Sequence, residues 1–397
     1  MTGLTNMALA IALSGLVLPM AVPVALAQDT AGETAPVELA GEAIVDLVSV
    51  VQGGSDRKVR SLTNVNLTAD LDLGRLVGWQ GGRAHLHVLD NRGARPNDAA
   101  QTLQGVDNIE VPDAGLRLFE AWLEQDIGSS GTSLRAGLYD VNSEFYANEA
   151  AGLLLAPPFG IGSELAATGP NGPSIFPSSA LAARLHVPVG NAGSFVRLGL
   201  INARASTLGD RGGVDFSFRD GLLAIAEAGR GEGRIRGTVG VWRYTRNPEN
   251  QYETGQDGQP LRKPSQGAYL VIEGDLLPAG RSREVTAFLR AGLSDPHTTP
   301  FHGGFQAGLL MEPAFSGRPD SQLSLGVHHA WTSNHYRDAV RALDQDPGNE
   351  TALELTFADA IAPSLSVQPD IQWVHGPGGI RGAQDVIVVT TRMTWSF

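Results

Sequence analysis

Beyond residue 40 the chain is dominated by runs of about 8 to 12 residues in which apolar and polar positions alternate, the two-residue period of a strand whose faces meet different surroundings. The runs fall at 42–51, 64–72, 83–90, 116–125, 133–141, 180–189, 194–202, 222–228, 234–244, 267–276, 284–294, 305–311, 322–331, 351–358, 365–374 and 385–397 and predict sixteen strands. Patterns with the 3.6-residue period of a helix are scarce. In 234–244, Ile235, Gly237, Val239 and Val241 share one face, and Arg234, Arg236, Thr238, Trp242 and Tyr244 the other. In 284–294, Val285, Ala287, Leu289, Ala291 and Leu293 oppose Thr286, Phe288 and Arg290. One face without charge and one carrying arginine or carboxylate is what a wall between lipid and water requires.

The connections alternate in length. Short links at 126–132, 190–193, 229–233, 277–283, 315–321 and 359–364 are separated by long ones, including 91–115, 142–179, 203–221, 246–266 and 332–350. This rhythm predicts an all-β fold, an up-and-down antiparallel transmembrane β-barrel of about sixteen strands with clipped periplasmic turns and long extracellular loops. A soluble sandwich gives no reason for the rhythm to persist along the chain. The last run places Ile387, Val389, Thr391, Met393, Trp395 and Phe397 on one face. A final strand closing on an aromatic residue resembles the signal read by the machinery that inserts bacterial outer-membrane barrels.

Residues 7–27 are apolar, uncharged and end in Ala25-Leu26-Ala27 before Gln28, the pattern of a secretory signal peptide. The first six residues carry no Lys or Arg, so a single membrane anchor is the alternative reading. The expected organisation is a signal peptide at 1–27, a short lead at 28–41 and a barrel at 42–397. No later stretch of about 18 apolar residues offers a transmembrane helix. Composition narrows the chemistry. The 397 residues include no cysteine, which excludes disulfides, cysteine-based zinc sites and thiol catalysis. A formal charge of -13 speaks against nucleic acid as a partner, because neutralising phosphates needs a basic face. All but two of the 29 basic residues are arginine, the exceptions being Lys58 and Lys263. A guanidinium-lined surface is one reading of that bias, and a GC-rich genome is the other.

Several strings along the chain stand out for their order and spacing. They are Leu118-Phe119-Glu120-Ala121-Trp122-Leu123-Glu124-Gln125, Leu134 to Phe145, Gly240 to Thr245, Gly267-Ala268-Tyr269, Glu354 to Phe357 and Val367 to Trp373. In order and spacing they resemble the OprB-type carbohydrate-selective porins from about residue 64 to the end. The resemblance implies a sixteen-stranded barrel in the bacterial outer membrane through which sugars diffuse, without cofactor or catalysis.

A sugar channel needs a constriction. The longest loop, 142–179, is rich in Gly, Pro and Ala, and its apolar middle at 153–160 would pack poorly in water. It is expected to fold into the lumen, a surface loop being the alternative. Alternation turns Arg135, Arg184, Arg197, Arg234, Arg236, Arg290 and Arg392 inward, with Glu120, Glu124, Glu227, Glu273, Glu354 and Asp370 on the same wall. Both signs across a narrow pore offer donors and acceptors to sugar hydroxyls. Trp122, Trp242 and Tyr244 would add flat faces for pyranose rings. The alternative is that these charges pair with each other and stabilise the barrel.

Other signals carry less. His85 and His87 share a strand face and His328 adjoins His329, but no carboxylate partner is identifiable for a metal site. Glu120 and Glu124, four apart in a strand, stand roughly 13 Å apart, too far for paired glycosidase carboxylates. Gly209 to Gly213 reads as a turn. A general ion or small-solute porin remains the nearer alternative function, and a barrel enzyme or adhesin acting through its loops the more distant one.

Overall fold

A computed structural model describes residues 35–190, 193–277 and 282–397; the expected signal peptide lies outside them. Among the described residues, sixteen antiparallel strands close into one barrel. The first half comprises β1 (Val37–Gln52), β2 (Arg60–Asp72), β3 (Gly82–Gly93), β4 (Gly115–Ile127), β5 (Thr132–Tyr139), β6 (Ala180–Val189), β7 (Ser194–Asn202) and β8 (Leu222–Arg230). After β9 (Ile235–Tyr244), β10 (Glu249–Thr254) and β11 (Pro260–Arg262) form a separate hairpin within a long loop. The wall resumes with β12 (Gln266–Asp275), β13 (Glu284–Ser294), β14 (Phe301–Glu312), β15 (Gln322–Thr332), β16 (Glu350–Ala362), β17 (Leu365–His375) and β18 (Val386–Ser396).

Each strand pairs with its neighbour in the barrel, and β1 pairs with β18 to remove the free edge, which satisfies every ladder without an exposed row of amides. Phe397 exchanges both backbone hydrogen bonds with Gly41, at 2.8 and 2.9 Å. The barrel begins earlier than the expected 42, because Val37 to Gly41 already pair with the far end of β2, from Val37 opposite Leu71 onward. The length rhythm is broken at two links. Those from β1 to β2 and from β13 to β14 are short although they lie at the end that carries the long loops.

The outer surface is apolar where alternation places it: Leu116, Val239, Val241, Leu293 and Leu325 are each at least half exposed. A band of exposed aliphatic side chains on a closed barrel suits contact with lipid chains. No helix among the described residues is long and apolar enough to cross a membrane.

Inside, two loops turn back against the wall. In the β5–β6 loop, Phe145, Tyr146, Leu154, Leu155, Phe159 and Leu165 are almost fully buried. Phe145, Tyr146, Ile161 and Leu165 join inward residues of β7, β8, β9 and β12, among them Ile201, Leu223, Ile225, Trp242, Tyr244 and Val271. Phe159 and Leu154 pack against Phe288 of β13. Burying each such side chain contributes about 1.5–3 kcal/mol. At Gly326 of β15 an added Cβ would stand 2.7 Å from the Leu154 side chain and within van der Waals reach of the Phe159 ring, so the bare backbone there admits the loop. The β3–β4 loop is the second insertion. Its Ala99, Ala100, Val106 and Ile109 pack on Val48, Leu62, Ala352, Val374 and Val388.

Candidate functional site

The wall of β8, β12, β13 and β16 grips the β5–β6 loop by its backbone. Glu227 accepts the amide of Tyr146 at 3.0 Å, and Glu273 that of Ala150 at 2.7 Å. Glu354 accepts those of Leu155 and Ala156, the latter at 3.0 Å. Arg290, fully buried, donates to the carbonyls of Tyr146 at 3.2 Å, Gly160 at 2.7 Å and Pro158. Gln368 reaches the Leu153 carbonyl at 2.6 Å, and Asp370 lies buried beside it, accepting from Gln372 at 3.2 Å. A loop in irregular conformation carries unpaired amides and carbonyls, and removing them from water is costly unless each finds a partner. Carboxylates meet the amides and the guanidinium meets the carbonyls. Within the loop, burial pushes the Glu164 carboxyl up although Tyr146 donates to it at 2.7 Å.

The second insertion is held in the same way. Glu350 accepts the amides of Leu103 at 2.7 Å and Gln104 at 3.0 Å. Arg392 binds Asp46 at 2.6 Å and Asn108 at 2.7 Å, and so ties the barrel seam to that loop.

On β3 to β7 the charges meet each other instead. Arg184 reaches Glu124 and Glu144, each at 2.7 Å. Arg135 bonds Glu124 at 2.6 Å and stands 3.7 Å from Glu144. Arg197 pairs with Glu227 at 3.0 Å and approaches Glu144 at 3.9 Å. Arg83 bridges Glu124 and Asp126 at 2.7 and 2.8 Å. All of these groups except Glu227, together with His186, line an open cavity of about 490 Å³. Burial alone would raise the Glu144 carboxyl, but Arg135, Arg184 and Arg197 together hold it below the usual carboxylate range. Its backbone lies in the inserted loop, so this cavity sits where loop and wall meet.

Three expected ring platforms are otherwise engaged. Trp242 and Tyr244 face inward as alternation requires but are buried under the inserted loop, because the wall there is apolar and binds the loop rather than water. Trp122 lies between His85, stacked at 5.0 Å, and Arg135, whose guanidinium sits 3.6 Å from the ring centroid. Neither broad face is left open to a sugar. Arg234 belongs to the turn before β9, exposed, and donates to the carbonyls of Asp275 and Leu276 at 2.9 and 3.1 Å. Arg236 pairs loosely with Asp275 at 3.3 Å, outside the cavity lined by the β3–β7 charges. Glu120 sends one oxygen to the amide of Asp140 at 3.0 Å, at the root of the inserted loop. Sequence reasoning missed Arg83 and Glu144. Glu144 sits within one of the strings that carry the family resemblance, but a loop residue has no alternation to give it a direction.

Comparison with known proteins follows the same lines. OprB of Pseudomonas putida, in its high-pH structure, is similar with a TM-score of 0.81 at 19% identity, covering 91% of this chain and 94% of that one. The outer-membrane channel DcaP of Acinetobacter baumannii is similar at 0.57 and 13% identity, over 91% and 97% of the two chains. An anion-selective porin from Comamonas acidovorans follows at 0.53 and 10%, over 91% and 99%. At such identities these likenesses show the fold. No curated protein matches the sequence. The model of the carbohydrate-selective porin, OprB family, matches residues 56–397, nearly the whole of the barrel. The chain therefore belongs to the OprB family of carbohydrate-selective porins, channels of the outer membrane.

Proposed function

We propose that sugars cross beside the β5–β6 loop, residues 142–179 acting as the constriction, and that they are read in the cavity bounded by Arg83, Glu124, Arg135, Glu144, Arg184 and Arg197. The observation that carries this reading is the network in that cavity, in which guanidinium and carboxylate groups alternate and stay partly open to solvent. Each guanidinium presents a fork of N–H donors and each carboxylate several acceptor positions, a match for adjacent sugar hydroxyls. Four guanidiniums face three carboxylates there, Glu124, Glu144 and Asp126, so the cavity carries one net positive charge and imposes a slight preference for anions. Stacking on Trp122 plays no part here, since Arg135 and His85 cover its faces. Transport by this reading is passive and involves no bond making or breaking. The segment 1–27 directs export, and Phe397, 70% exposed at the barrel end, is presented to the insertion machinery.

The test is conductance in planar bilayers with sugars titrated into the bath. Ion current through the wild-type barrel is expected to fall as sugar occupies the cavity, and less so in Arg135→Ala. Current indifferent to every sugar, with liposomes swelling no faster in sugars than in size-matched polyols, would sink the reading.

A further inference from the structure

We propose that His85, His87 and Glu120 form a binding site for a divalent transition-metal ion on the lumen wall. The strand pattern puts the two histidines on one face of β3. The carboxylate comes from β4, where the register slips between His87 opposite Glu120 and Val88 opposite Leu118. That bulge leaves Phe119 as the extra residue, and both Phe119 and Glu120 are buried. A bulge re-aims side chains in this way. As a result the His85 Nε2 and the His87 Nδ1 each stand 3.9 Å from the same oxygen, Glu120 Oε2, and the three ligand atoms lie within 4.8 Å of one another.

The outer partners decide which nitrogens are free. Asp70 holds the His85 Nδ1 at 2.7 Å, which fixes the proton there and leaves the lone pair on Nε2. Asn66 Oδ1 holds the His87 Nε2 at 3.0 Å, which leaves the lone pair on Nδ1. The Asn66 amide in turn points its NH₂ to Glu42 at 3.5 Å, so its oxygen is the atom facing the histidine. Two imidazole lone pairs and a carboxylate oxygen therefore converge with no donor between them. Three acceptors facing one another repel unless a cation stands among them. Two imidazoles and one carboxylate, each imidazole backed by an oxygen, make up a ligand set that suits zinc or copper and leaves a further position open. The other Glu120 oxygen stays on the Asp140 amide, so an ion here also braces the root of the inserted loop. The neighbouring cations are answered elsewhere: Arg83 by Glu124 and Asp126, and Arg135, beyond Trp122, by Glu124 and Glu144.

The site is tested on untagged barrel in detergent, stripped with a chelator and held at about pH 8, where imidazole is neutral. Calorimetric titration with Zn²⁺ is expected to give one ion per barrel, and Cu²⁺ a paramagnetic resonance spectrum with coupling to two nitrogens. His85→Ala with His87→Ala should abolish both signals. Asp70→Asn, which leaves the ligands in place, should weaken binding about tenfold and serves as the decisive variant if the double substitution does not fold. In bilayers, Zn²⁺ should shift the reversal potential toward anions in wild type and leave the double variant unmoved. Absence of binding, or binding unchanged in the double variant, overturns the proposal; the second result would place the ion elsewhere, for instance at Glu253, His297 and His335.

Discussion

Two stretches of the same lumen wall spend charged residues on different partners. Along β8, β12, β13 and β16, Glu227, Glu273, Arg290 and Glu354 end on amides and carbonyls of the inserted loop. Along β3 to β7, Arg83, Glu124, Arg135, Arg184 and Arg197 end mostly on other charged side chains and border open space. A charge that faces the lumen is thus not by that fact a pore residue. What lies over it decides, and an irregular loop, with its unsatisfied backbone, is a stronger claimant than a passing solute.

The largest effect should come from Arg290→Ala. It leaves the carbonyls of Tyr146, Pro158 and Gly160 without their shared donor inside a packed region, and each buried acceptor left unpaired costs about 1–3 kcal/mol. The loop should detach and single-channel conductance rise, with sugar block lost along with the constriction. A barrel with wild-type conductance would erase the distinction between the two stretches. Glu354→Leu should do the same on a smaller scale, about 1–3 kcal/mol for two buried amides left unpaired, visible as current fluctuations between a narrow and a wide state.

Much of this was legible in the chain. The two-residue period marks all sixteen wall strands, several of them to the residue, such as Ala180–Val189 and Glu284–Ser294. The apolar middle of the β5–β6 loop points to its burial for a physical reason, since Leu153 to Phe159 has no use for water. The β3–β4 loop escaped because only Ala99, Ala100, Val106 and Ile109 anchor it amid polar residues. Direction was readable where coverage was not: Trp242 and Tyr244 do point inward, but under a loop. One signal was available. Leu223, Ile225 and Val271 sit on the inward face of strands whose outer face is also apolar, which a water-filled lumen would not favour. The bulge at Phe119 depends on pairing between strands and has no local signature.

Substituting within the open stretch should act differently. Arg184→Ala removes a donor to Glu124 and Glu144 without touching the hydrogen bonds that Arg290 and Glu354 make. Conductance should change little, while the reversal potential moves toward cations and sugar block weakens, in contrast to Arg290→Ala. If Arg184→Ala opened the pore as widely, the cavity charges would be loop anchors after all.

The smallest effect is that of pH, and its sign separates the two stretches again. Glu144 is held below the ordinary glutamate value of 4.5 by three arginines, so its contribution is fully present above about 4.5 and is lost only as pH falls through the lower folded value. Glu164, pushed up by burial, works in the opposite sense, its protonation favouring the packed loop as pH falls. Below about pH 4.5 selectivity should therefore shift toward anions, as Arg135, Arg184 and Arg197 lose their common counter-charge. Glu144→Gln should show the anion shift already at neutral pH and remove the step below 4.5. A wild-type barrel that shows no anion shift below about pH 4.5 would mean that Glu144 does not govern the cavity.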